Sequence, residues 1–188
     1  AIVDPALTDG CPKAVTLASG LDAVTQVIEP FVSVKATPYT DALARPAIAE
    51  GMRALMRLMQ GEDGQARDRM AWVSLCGGLA LANAGLGAVH GFAGVIGGMT
   101  GAAHGVICGA LLGPVLQANR AAATGVARAR LDEVCVSLAE VLGSSAAEAP
   151  SALQAWAWAE GLPGLAALGV SEDQHQAIAM AALWPLGD

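Results

Sequence analysis

From Met70 to Asn119 the chain runs for fifty residues without an Asp, Glu, Lys or Arg. A stretch with no charge to place in water has two homes, a bilayer or the interior of a helical bundle. Its length would allow two membrane spans, yet it holds twelve glycines, Pro114, Asn83, Asn119 and two histidines. It also lacks basic flanking clusters and an aromatic belt. Interior helices of a compact bundle suit it better, and no membrane association is expected.

The two histidines, His90 and His104, stand fourteen residues apart in this run, and the remaining one, His175, lies far downstream. Imidazole is the commonest neutral ligand for divalent transition metals, so the pair reads as half of a metal site. Upstream, Asp22 and Gln26 sit four apart and would share one helix face. One carboxylate, one amide oxygen and two imidazoles make a four-point donor set. Taken singly, each residue has a plainer role. A histidine on an apolar face is usually a core residue bonded to a backbone carbonyl, Asp22 follows Ser19-Gly20 as a helix-start residue would, and Gln26 reads as a satisfied or surface amide. Only their combination points to an ion.

At 188 residues, with 14% charged and 54% hydrophobic residues, the chain suits one domain, 1–188, with a substantial core. A net charge of −7 without a basic stripe, and few aromatics, argue against nucleic-acid binding. Cys11, Cys76, Cys108 and Cys135 have no CxxC spacing and read as buried thiols of a reduced compartment. No secretory leader is legible at the opening, so the expected location is cytoplasmic. There is no phosphate loop and no G-x-S-x-G elbow.

Residues Ala1 to Asp4 read as the end of a strand, followed by turn signals at Pro5 and Thr8-Asp9-Gly10. Helical periodicity dominates after that, so the expected class is all-α, a multi-helix bundle with a short strand remnant. The expected helices run from about Ser19 to Pro30, Thr40 to Gln60, Ala66 to Ala84, His104 to Ala118 with a break near Gly113-Pro114, and Val126 to Leu142. Glycines divide Gly85 to Gly105 so that His90 falls on one short helix and His104 opens the next. Two or three short helices fill Leu153 to Leu183. Ser171-Glu172-Asp173-Gln174 forms a capping box that leaves His175 on the surface.

In order, Val3-Asp4-Pro5-Ala6-Leu7, Gly20-Leu21-Asp22-Ala23-Val24-Thr25 with Glu29 following, Thr40-Asp41-Ala42-Leu43-Ala44, Ala84-Gly85-Leu86-Gly87-Ala88-Val89-His90-Gly91, and His104-Gly105 leading to Leu111-Leu112-Gly113-Pro114 resemble the helical domain of the iron-containing, group III alcohol dehydrogenases. These are relatives of glycerol dehydrogenase and dehydroquinate synthase. The resemblance covers essentially the whole chain. It implies an NAD(P)-linked oxidoreductase of small alcohols or carbonyls, with a divalent iron or zinc ion held by Asp22, His90 and His104. It also implies an N-terminal NAD(P)-binding domain to which residues 1–12 would connect, and a homo-oligomer.

Two departures from the family pattern matter. Gln26 stands where many members have a fourth, histidine ligand, and a neutral amide oxygen should weaken binding. Gly94 stands where many carry another histidine near the substrate. Phe92 would help line an apolar substrate pocket. Maleylacetate reductase is the rival within the family, favoured by Val95-Ile96-Gly97-Gly98 but disfavoured by the lack of basic residues between Arg69 and Arg120. The rival outside it is a metal-free, non-catalytic helical module.

Overall fold

The computed structural model describes residues 2–182, and among them every regular element is helical. Eight α-helices follow a short 3-10 turn: α1 (Lys13–Val32), α2 (Pro38–Gln60), α3 (Gly64–Ala84), α4 (Ala88–Thr100), α5 (His104–Ala122), α6 (Gly125–Leu142), α7 (Ala149–Ala159) and α8 (His175–Ala182). The expected opening strand is not formed. Residues 2–4 find no ladder partner, and Asp4 instead caps the turn Pro5–Thr8 by accepting from the Ala6 N–H. Ala1 and Leu183, the outer limits of two expected elements, lie outside the described residues.

Helix α1 is the axis of the bundle. It packs against α2, α3 and α5 and is buried on nearly every side, from Thr16 to Phe31. Leu21, Val24, Val27, Ile28 and Phe31 are essentially inaccessible, and each such side chain contributes roughly 1.5–3 kcal/mol by leaving water. The helix starts two turns before the expected Ser19. Ser19 directs its hydroxyl back to the Val15 carbonyl at 2.8 Å, a mid-helix arrangement that competes with capping. Asp22 therefore sits well inside a buried helix and is not a helix-start residue.

The uncharged run occupies less of the interior than its composition suggests. Helix α4 buries only Val89, Ala93 and Ile96, and Trp72, Leu79, Leu86 and Met99 are exposed. No single helix among the described residues is long and apolar enough to cross a membrane. The break expected at Gly113-Pro114 does not occur. Pro114 cannot donate to the Ala110 carbonyl one turn back, but the Gln154 side chain of α7 does so at 3.1 Å while accepting from the Trp158 indole at 3.0 Å. Helix α6 buries Leu131, Val134 and Leu138 on one face, and Val126 is exposed at its first turn. The Ser171 capping box forms, and His175 is on the surface as read.

Candidate metal centre

Asp22 on α1, His90 in the first turn of α4 and His104 at the start of α5 converge, and Cys108, one turn further along α5, joins them. Their ligand atoms all lie within 4.8 Å of one another, the one cluster of this kind among the described residues. Asp22 Oδ1 lies 3.2 Å from His90 Nε2 and 3.7 Å from His104 Nε2. The two rings stand 5.3 Å apart, centroid to centroid. His90 is 8% exposed and Asp22 20%, whereas His104 is half-exposed at 50%, so the cluster opens to solvent on the His104 side.

Close backbone approach makes this convergence achievable. A Cβ at Gly105 would lie 2.5 Å from the Ala18 carbonyl oxygen, so glycine is what lets the first turn of α5 rest on the α1 backbone just before Asp22. Gly105→Ala should push that turn away. Overpacking of this kind typically costs about 1–3 kcal/mol. Metal affinity should fall about tenfold, equivalent to ~1.4 kcal/mol. Thermal melts and equilibrium dialysis that match the parent would show the contact to be dispensable.

Behind the cluster lies a residue whose role the sequence reading missed. Glu29 is 5% exposed, and its two oxygens accept from the Gly87 N–H at 2.9 Å, the Val89 N–H at 2.7 Å and His90 Nδ1 at 2.6 Å. Three donors are what a buried carboxylate requires, and two of them are the otherwise orphaned N–H groups at the start of α4. Gly87 leaves the room, since a Cβ there would meet Glu29 Oε1 at 2.8 Å. With Nδ1 donating to Glu29, the imidazole is oriented so that Nε2 faces Asp22, the arrangement by which second carboxylates fix histidine ligands.

Electrostatics follow from this packing. Burial would lower the His90 pKa, but the hydrogen bonds and charges of Asp22 and Glu29 prevail and raise it to about 9. Burial alone would raise Asp22; its hydrogen bond to His90 and the charges of His104 and His90 hold it below the usual carboxylate range. Burial, then the Asp22 carboxylate, push the Cys108 thiol well above its ordinary value.

The donor set fits a first-row divalent ion. Donors about 2.0–2.3 Å from a shared tetrahedral ion lie roughly 3.3–3.8 Å from one another. The Asp22–His90, Asp22–His104 and His104–Cys108 separations of 3.2, 3.7 and 3.5 Å are already near that spacing. The widest separations, up to 4.8 Å, would close by about an ångström. Imidazole and thiol donors suit iron, cobalt or zinc better than magnesium or calcium. Gln26, expected as a weak fourth ligand, lies one turn after Asp22 and donates its Nε2 to Asp22 Oδ2 at 3.3 Å. This contact steadies Asp22, and the amide oxygen is the separate atom that a weak fourth ligand would offer. Phe92 packs partly buried against the core, and Gly94 is exposed with open space where a side chain would begin. A separate pocket of about 540 Å³ between α1, α3 and the opening turn contains none of the four donors, and its lining is mainly apolar.

Comparison with known proteins agrees with this architecture. The family model for "Fe-containing alcohol dehydrogenase family, C-terminal" matches residues 16–186. The chain is 43% identical over 121 residues to 1,3-propanediol dehydrogenase of Klebsiella pneumoniae, covering 63% of this chain and 31% of that protein. It is 35% identical over 183 residues to NAD-dependent methanol dehydrogenase of Bacillus methanolicus, covering 95% and 48%. A crystal structure of 1,3-propanediol oxidoreductase superposes with a TM-score of 0.83 at 34% identity, over 97% of this chain and 49% of that one. Maleylacetate reductase from Agrobacterium tumefaciens shares the fold with a TM-score of 0.82 at 26% identity. The chain thus spans about half the length of such relatives or less. It belongs to the iron-containing alcohol dehydrogenase family, within that family's C-terminal, helical region.

Proposed function

We propose that this chain is the metal- and substrate-binding domain of an NAD(P)-linked dehydrogenase acting on small alcohols and the corresponding carbonyls, and that residues 1–12 lead to it from an N-terminal NAD(P)-binding domain. The observation that carries the reading is the meeting of Asp22 on α1 with His90 and His104 from the first turns of α4 and α5. Bound Fe2+ or Zn2+ would supply a Lewis acid for an alcohol or carbonyl oxygen. Asp22, His90 and His104 would hold the ion, Glu29 would keep His90 Nε2 aimed at it, and Gln26 would steady Asp22. The half-exposed His104 side leaves the approach for substrate. With glycine at position 94, no imidazole is available there to relay a proton, so protons would exchange with water.

The maleylacetate reductase alternative calls for cations to receive two carboxylates. The hydrogen-bond partners of the site residues include no Lys or Arg. Alcohols and simple carbonyls, which call for no cation, fit this surrounding better.

Elemental analysis after dialysis against Fe2+ or Zn2+ should find about one ion per chain. Joining the chain to the NAD(P)-binding half of a relative should then give alcohol-dependent NADH formation that a chelator abolishes. A folded protein that takes up no metal would defeat this reading in favour of a metal-free helical module.

A further inference from the structure

We propose that Cys108 supplies the fourth protein donor to the ion held by Asp22, His90 and His104, making this an Asp-His-His-Cys centre that prefers zinc-like over magnesium-like cations. The inference rests on the metal reading above. Helix geometry carries it first: Cys108 follows His104 by four residues, on the same face of α5, and its Sγ lies 3.5 Å from His104 Nε2. That sulfur belongs to the set of donor atoms gathered within 4.8 Å. Cys76 and Cys135 are equally buried but join no such set among the described residues.

As the sulfur–metal bond forms, the thiol proton leaves to solvent and no electron changes hands. Thiolate selects zinc, cobalt and cadmium over magnesium or calcium, so the cysteine would set preference as well as affinity.

Cobalt(II) is the probe. Loaded into the 188-residue chain at about one ion per chain, it should show the near-ultraviolet thiolate-to-cobalt charge-transfer band, which Cys108→Ser should lose while Cys76→Ser keeps it. Retained cobalt uptake in Cys108→Ser, with the band gone, supports the proposal. A band absent from the unmodified protein, or surviving in Cys108→Ser, overturns it and leaves the metal reading intact. Failure of the unmodified chain to take up any cobalt or zinc overturns both. Should Cys108→Ser not fold, cadmium NMR of the unmodified protein decides: a shift typical of one sulfur ligand supports the assignment, and one typical of nitrogen and oxygen alone refutes it.

Discussion

Alanine at position 90 should end metal uptake, with a fall in zinc affinity of more than about a hundredfold, since losing even an outer-shell partner costs 10–100-fold. His90 is the one side chain that bonds both acids, Nε2 to Asp22 at 3.2 Å and Nδ1 to Glu29 at 2.6 Å. Its removal deletes a donor atom and also strips a partner from each of two largely buried carboxylates. Breaking buried charged pairs of this kind costs about 3–5 kcal/mol, so the variant should be less stable as well. His104→Ala should weaken zinc comparably with a smaller stability loss, because half of that side chain already lies in solvent. His175→Ala is the control, an exposed histidine on α8 with no place in the cluster. Competition titrations against a chelating dye read the affinities. Zinc binding by His90→Ala within threefold of the parent would sink the assignment.

How much of this was legible beforehand depends on whether the signal was local. Helical periodicity located most of the helices, and the glycine breaks placed His90 on one short helix and His104 at the start of the next. The start of α1 differs because Ser19-Gly20 imitates a cap, whereas its end near Pro30 agrees; only the three-dimensional packing reveals that the helix passes through Ser19-Gly20. Pro114 reads as a break in sequence because the compensating donor, Gln154, lies forty residues away. Lack of charge was equated with burial, yet α4 buries one face and exposes glycines on the other. At the site itself two signals were present and unused. Cys108 stands one helical turn from His104, and Glu29 stands two turns from Asp22 in an otherwise apolar segment, where an acid needs a partner. What the sequence could not disclose is that the partner is the start of α4, some sixty residues away.

That long-range contact gives the second large effect. Glu29→Gln keeps the shape of the side chain but replaces one acceptor oxygen with a donor. Gly87 N–H, Val89 N–H and His90 Nδ1 all need acceptors, and a glutamine offers one oxygen to groups that now share two. At least one buried donor is left facing another, costing about 1–3 kcal/mol. The start of α4 also loses a negative charge, commonly worth about 0.3–1 kcal/mol. His90 then loses the partner that fixes its orientation, so zinc affinity should drop by about 10–100-fold even where the protein is fully folded. Denaturant unfolding with and without zinc separates the two effects. A purely structural Glu29 would lower stability in both series and leave the zinc affinity of the folded protein unchanged, and that outcome would refute its role in positioning His90. Glu29→Asp, which keeps both oxygens on a shorter arm, should recover part of the zinc affinity, because the charge and acceptor count are restored and only the reach is lost.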